Sequence, residues 1–267
     1  MTPKERDYIA GLCATHAGLN IDTERAYLIE SRMAAVARRE GFGSVEELVR
    51  AVRDRGEEQV IWTVVEALAP AQTAFFREPA VFEALLRELQ EGVELGASLR
   101  VWSAACGTGQ EIYSLAMLLE ERGVEGIELF ASDLNGRMIE KGKAGIYNQF
   151  EVQQGLSARR LVRHFDNHEE AFIVSADLRR AVRWRRHNLI ETPNGMGSFD
   201  VILCRNVLGA LLPAARDKVL AHLAGALRIG GRLVLGAAET VTPKSGLVAV
   251  AGEPGVFELP AAVRVAA

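Results

Sequence analysis

Leu99-Arg100-Val101-Trp102-Ser103-Ala104, followed without a break by Ala105-Cys106-Gly107-Thr108-Gly109 and then by Gln110 to Leu119, is the segment that decides the fold. The first six residues have the length and apolar character of a strand, the next five form a glycine turn, and Tyr113 to Leu119 read as a helix. Further on, Ile127-Glu128-Leu129-Phe130-Ala131-Ser132 ends in Asp133, and Phe199-Asp200-Val201-Ile202-Leu203-Cys204 ends in Arg205-Asn206. Gly231-Arg232-Leu233-Val234-Leu235-Gly236 follows a helix around residues 214–228. Strands alternating with helices predict an α/β fold with a mostly parallel sheet covered on both faces. The rhythm breaks between about 144 and 186. There Phe172-Ile173-Val174 and Val182-Arg183-Trp184 read as short strands separated by Ser175 to Ala181, which predicts a small antiparallel β insertion.

Toward the N-terminus the pattern is helical throughout, with Ile29, Met33 and Val36 at helical spacing. Asn20 and Asp22 offer N-caps for a helix running to Arg39, Gly41-Phe42-Gly43-Ser44 stops it, and Ser44 with Glu47 can cap the next. Arg25, Arg32 and Arg39 are seven apart, so they are expected on one helix face beside the apolar stripe. Such a face is either a solvated surface or a docking site for an acidic helical partner. The expected organisation is a helical domain over residues 1–70 and an α/β domain over 71–267.

With 267 residues, 49% hydrophobic and 25% charged, the chain has the composition of a soluble globular protein. Its net charge of -4 gives no long-range attraction to nucleic acid phosphates. The first residues lack the apolar core of a signal peptide, and no apolar run is long enough to span a bilayer. Cys13, Cys106 and Cys204 are scattered without the spacing of a zinc site, so no metal is expected and a reducing cytoplasm fits.

Asp133 gives the glycine turn its chemistry. A carboxylate ending the next parallel strand faces the same crevice as the turn, where it can accept the hydrogens of a ribose diol. The alternative is an Asp that caps a strand-to-helix turn. The full G-x-G-x-x-G spacing of a pyrophosphate cradle is missing, which favours S-adenosylmethionine (SAM) over a dinucleotide.

Five blocks occur in order: Thr73-Ala74-Phe75-Phe76-Arg77-Glu78, Val101 to Ala116, Ala131-Ser132-Asp133-Leu134, Gly145-Ile146-Tyr147 and Cys204-Arg205-Asn206-Val207-Leu208. Together they resemble the signature blocks of the CheR-type protein-glutamate methyltransferases, and the likeness extends over roughly residues 8 to 240. The resemblance implies a Rossmann-like SAM-dependent methyltransferase fold with an N-terminal all-helical domain that docks a chemoreceptor-like helical protein. It implies that SAM is the cofactor and S-adenosylhomocysteine (SAH) the product. It places Thr73 and Arg77 against the cofactor and the substrate carboxylate, Arg77 being the catalytic residue. Ala105 and Gly107 belong to the cofactor turn, Glu111 lies near the methionine amino group and Asp133 on the ribose. Asn188, Leu189, Asn206 and Val207 surround the adenine and the sulfonium. Taken singly, Arg77 reads more readily as a surface ion-pair partner, Glu111 as a first-turn helix residue, and Asn188 or Asn206 as loop residues bonding their own backbone.

The chain departs from the family pattern at several points. Ala71 stands where a polar Asn is common, and Gln110 replaces a Glu. Gly209-Ala210-Leu211-Leu212 replaces Ile-Tyr-Phe-Asp, so the family tyrosine is Ala210 here. The insertion is shorter between His164 and Phe172, which argues against binding of a receptor tether peptide. The missing tyrosine leaves three readings open: alignment and Arg77 suffice, the substrate has changed, or the chain binds or senses SAM without transferring methyl groups.

Overall fold

A computed structural model describes residues 1–70, 72–169 and 171–261; Ala71, Glu170 and 262–267 lie outside the described residues. Contacts divide the chain into two units, one of Met1–Pro70 with Val207–Val219, the other of the described residues in Ala71–Asn206 and Leu220–Ala267.

In the first unit, residues 1–70 form four helices. Thr2 and Glu5 form a reciprocal cap at the start of α1 (Pro3–Ala17), and Gly18 ends it in left-handed backbone at φ 66°. Helix α2 (Ala26–Arg39) buries Ile29, Met33, Val36 and Ala37, spaced for one face, against α3 (Val45–Arg55) and α4 (Glu58–Leu68). The Ser44 hydroxyl caps α3 by accepting the Glu47 amide at 3.1 Å.

Helix α2 starts later than the sequence predicts, with Arg25 rather than Asn20 or Asp22 at the N-cap. The reason is a pairing made far along the chain. Leu19 bridges Leu211, the Asn20 amide donates to the Ala210 carbonyl at 2.8 Å, and the Leu212 amide donates to the Gly18 carbonyl at 2.8 Å. Residues 207–219, expected with the sheet domain, therefore group with the helices. Arg25 consequently lies outside the helix that carries Arg32 and Arg39. Each of the three has a local partner: Arg25 pairs with Asp22 at 3.1 Å and Arg39 with Glu40 at 2.9 Å. Arg32 donates to the Leu68 carbonyl at 3.0 Å, satisfying an orphan acceptor at the end of α4.

The second unit begins with α5 (Pro79–Glu94) and then alternates: β1 (Leu99–Ala104), α6 (Gln110–Arg122), β2 (Ile127–Asp133) and α7 (Gly136–Ala144). An insertion follows, comprising β3 (Ile146–Asn148), α8 (Gln149–Gln153), α9 (Ala158–His164), β4 (Phe165–His168) and β5 (Ala171–Val174). Then come α10 (Ala176–Ala181), β6 (Val182–Arg186), β7 (Phe199–Cys204), α11 (Pro213–Ala226), which starts in the first unit, and β8 (Leu227–Leu235), β9 (Val248–Ala249) and β10 (Val256–Glu258).

The main sheet has the order β6-β2-β1-β7-β8-β10-β9, parallel from β6 to β8 and antiparallel beyond. Strand order reverses between β1 and β7, so their C-terminal ends open a crevice of the kind that receives ligands in such folds. Val101, Leu129, Ala131, Val201, Leu203 and Val234 meet Phe82, Leu86, Ile112 and Leu115 in the core. The inserted sheet is antiparallel, in the order β3-β5-β4. Val182–Arg186 is not part of it, contrary to the sequence reading. Helix α10 turns the chain over, and β6 pairs in parallel with β2, Leu129 opposite Val182. Among the described residues no helix is long and apolar enough to cross a membrane.

Candidate functional site

The turn after β1 takes left-handed backbone three times in five residues, at Ala105 (φ 60°), Gly107 (φ 57°) and Gly109 (φ 92°). Two of these positions also lack room for a side chain. A Cβ on Gly107 would stand 3.0 Å from the Thr73 methyl, and one on Gly109 2.4 Å from the Trp184 ring. The turn is tied to β2 by its amides. Cys106 donates to the Ser132 carbonyl at 2.9 Å, and Gly107 donates to Oδ2 of Asp133 at 2.8 Å. The other carboxylate oxygen of Asp133 accepts the Asn135 amide at 2.8 Å. These two amides orient the carboxylate at the mouth of the crevice.

A second segment, residues 72–78, carries Thr73 and Arg77. Phe76 and Glu78 both hold positive φ, 49° and 60°, which non-glycine residues keep only when their surroundings hold them there. The Phe76 amide donates to the buried Ser114 hydroxyl at 2.9 Å, and Phe75 packs edge-on against Tyr147 and Phe165. Arg205 supplies the rest. Its side chain is 2% exposed and donates to Oε2 of Glu111 at 3.1 Å, to Oε2 of Glu78 at 2.7 Å and to the Arg77 carbonyl at 2.9 Å. Oε1 of Glu111 accepts the Ser103 hydroxyl at 2.8 Å. Sequence reasoning quoted Arg205 within a block but gave it no role. The available signal was a cation directly after a wholly apolar strand end. Glu239 was also missed: its Oε2 accepts the amides of Asn206 (2.7 Å) and Gly236 (2.9 Å), fixing Asn206 at φ 63°.

The expected residues fall into groups. Thr73, Arg77, Ala105, Glu111 and Asn206 line one cleft with Arg205 and Cys106. Gly107 and Asp133 adjoin it through the turn. Asn188 and Leu189 do not line this cleft; they follow His187, whose amide donates to the Asp133 carbonyl at 2.9 Å. Asn188 is buried, and the Leu189 carbonyl lies 3.1 Å from Nδ1 of His222. Val207 groups with the helical unit. Gln110 turns inward, its side-chain oxygen accepting the Thr108 hydroxyl at 2.7 Å, while Ala71 lies outside the described residues.

Burial pushes the thiols of Cys106 and Cys204 far above the ordinary range, so neither serves as a nucleophile near neutral pH. The polar groups of the cleft and turn match a zwitterionic nucleoside. Asp133 suits a ribose diol and Glu111 an ammonium, and Arg77 suits a carboxylate, that of the nucleoside or that of a second substrate. Glycine at 107 lets the backbone approach closely.

Residues 71–254 match the family model described as CheR methyltransferase, SAM binding domain. Chemotaxis protein methyltransferase 1 of Pseudomonas aeruginosa is 35% identical over 236 residues, 84% of this chain and 85% of the relative. Chemotaxis protein methyltransferase Cher2 of Pseudomonas putida is 32% identical over 235 residues, 84% of this chain and 86% of the relative. Among solved structures, the glycopeptide N-methyltransferase MtfA complexed with SAM is 17% identical, with 55% of this chain and 53% of that chain covered at a TM-score of 0.34, a likeness too slight to bear on the site.

Proposed function

Because the chain belongs to the CheR methyltransferase family, a SAM-dependent methyltransferase family, we propose that it methylates a glutamate carboxylate on a chemoreceptor-like helical protein. The observation that carries this reading is the meeting of Arg77, Glu111 and Asn206 in one cleft beside the Asp133–Gly107 junction.

When bound, SAM supplies a methyl carbon whose bond to sulfur breaks as a carboxylate oxygen attacks, the electron pair leaving on sulfur. A glutamate near neutral pH is already ionised, so the protein needs no general base. Its residues orient. Asp133 holds the ribose, Thr73 and Glu111 the methionine end, and Asn188 and Leu189 the adenine side. Arg77, exposed at the rim, offers a two-point fork to the substrate carboxylate. Alignment of this kind can supply on the order of 7 kcal/mol in favourable intramolecular cases. Arg205 pairs with both Glu111 and Glu78, which offsets part of the negative charge that would otherwise repel an anionic substrate. Docking of the partner falls to the helical unit. Arg25 and Arg39 are held only by exposed ion pairs, which are weak and can be exchanged for acidic side chains of a partner. Arg32 is committed to α4. A cytoplasmic location accompanies this function.

A second reading, a SAM-binding or SAM-sensing module without transfer, is favoured by Ala210, which has no hydroxyl to offer. Incubation with tritiated SAM and receptor fragments, scored for base-labile methyl esters, distinguishes the two. Esters are expected; firm SAM binding without any ester supports the second reading.

A further inference from the structure

Tyr147 comes from β3 of the inserted sheet, yet it touches both segments that build the cofactor site. It is 1% exposed. Its ring meets Phe75 edge-on, with centroids 5.1 Å apart, and so packs against the segment that carries Thr73 and Arg77. Its hydroxyl donates to the Thr108 carbonyl at 2.6 Å. Thr108 lies between Gly107, whose amide orients the Asp133 carboxylate, and Gly109. Glycines on both sides leave the intervening peptide units with little intrinsic resistance to rotation. Bonds from other side chains must therefore fix the turn, and the Tyr147 hydroxyl makes one of them. Burial pushes this phenol well above its ordinary range, so it stays a donor at working pH.

We propose that Tyr147 is a positioning residue for SAM: by holding the Thr108 carbonyl and the Phe75 ring together, it keeps the glycine turn and residues 72–78 in the geometry that binds the cofactor. Its hydroxyl then contributes to cofactor affinity, beyond any contribution to stability. The inference rests on SAM as the cofactor and is independent of the methyl acceptor.

Tyr113 provides a matched control. It is equally buried and carries a hydroxyl on a backbone carbonyl at 2.7 Å, but that carbonyl belongs to Gly142 in α7, outside the turn. Tyr147→Phe and Tyr113→Phe both keep the ring and delete one buried hydrogen bond. The test is calorimetric titration of the full chain with SAH, at a temperature where urea unfolding shows every variant folded. Wild-type binding is measured first, so that failure of the cofactor reading is seen separately. Tyr147→Phe is expected to raise the Kd for SAH about threefold to tenfold, the range that loss of one net hydrogen bond gives, while Tyr113→Phe stays within about twofold of wild type. Amide exchange at Gly107 and Gly109 should quicken in Tyr147→Phe alone. An unchanged Kd in Tyr147→Phe, or equal weakening in both variants, overturns the proposal.

Discussion

Arg205 and Glu111 form an ion pair across the crevice, Nη1 to Oε2 at 3.1 Å, with the guanidinium 2% exposed and the carboxylate 14% exposed. Removing the cation strands Glu111 and leaves Glu78 and the Arg77 carbonyl without their donor. Arg205→Met is therefore expected to cost about 3 kcal/mol of stability, toward the lower end for a broken buried pair because Glu78 can turn to water. Arg205→Lys should recover less than half of the loss, since an ammonium cannot reproduce the fork to three acceptors. Urea unfolding monitored by tryptophan fluorescence measures both.

Asp133 is oriented by two amides and is the residue proposed to grip the ribose. SAH at about a hundred times its Kd should stabilise the wild type by roughly 2.7 kcal/mol. Asp133→Asn turns one acceptor into a donor that faces the Gly107 or Asn135 amide, and Asp133→Ala removes both acceptors. At the same SAH concentration each variant should lose more than half of that stabilisation in a thermal-shift experiment. A full shift in either would move the ribose contact elsewhere.

Part of this site was legible from local pattern. The strand, glycine turn, helix and following Asp133 lie within 35 consecutive residues, 99–133, and their periodicities are strong. Arg205 was not legible as a keystone, because its partners Glu111 and Glu78 are 94 and 127 residues away. The grouping of residues 207–219 with the helices depends on the Leu19–Leu211 bridge, which no local pattern announces. Val182-Arg183-Trp184 was misread as part of an antiparallel insertion with 172–174 because the connection at 175–181 is short enough for either arrangement; only pairing with β2 reveals the short helix between them.

Trp184 is packed against two glycines. In α7 the change Gly142→Ala would ordinarily be favourable by up to about 1 kcal/mol. Here the new methyl would stand 2.5 Å from the Trp184 ring, so the sign reverses and a cost of about 1–3 kcal/mol is expected. In a Trp184→Phe background the colliding ring atoms are gone and only the Thr108 carbonyl, 3.3 Å from the new methyl, still crowds it, so the cost of the same change should shrink. Trp184→Phe itself should be mild, because the indole nitrogen is buried without a hydrogen-bond partner. A double-mutant cycle in urea reads the coupling.

Glu121 supplies a pH dependence. Hydrogen bonds from Arg160, and then from His164, hold its carboxyl below the usual carboxylate range against the opposing effect of burial. Its folded pKa is thus lower than its unfolded value of about 4.3. The resulting stabilisation is complete above that unfolded value and is lost as pH falls through the folded one. Glu121→Gln should be less stable than wild type at pH 7, and the gap should narrow as the pH is taken below 4. Parallel urea titrations test this, and a gap that stays constant with pH would refute the assignment.

The two borders of the seven-stranded sheet differ in how they discourage unwanted pairing. On one side β6 presents Arg183, Arg185 and Arg186, so a second copy laid alongside would bring like charges together. On the other, β9 is two residues long and offers too few free backbone groups to template an added strand. Concentrated solutions of the folded chain should accordingly resist fibril-like growth through this sheet.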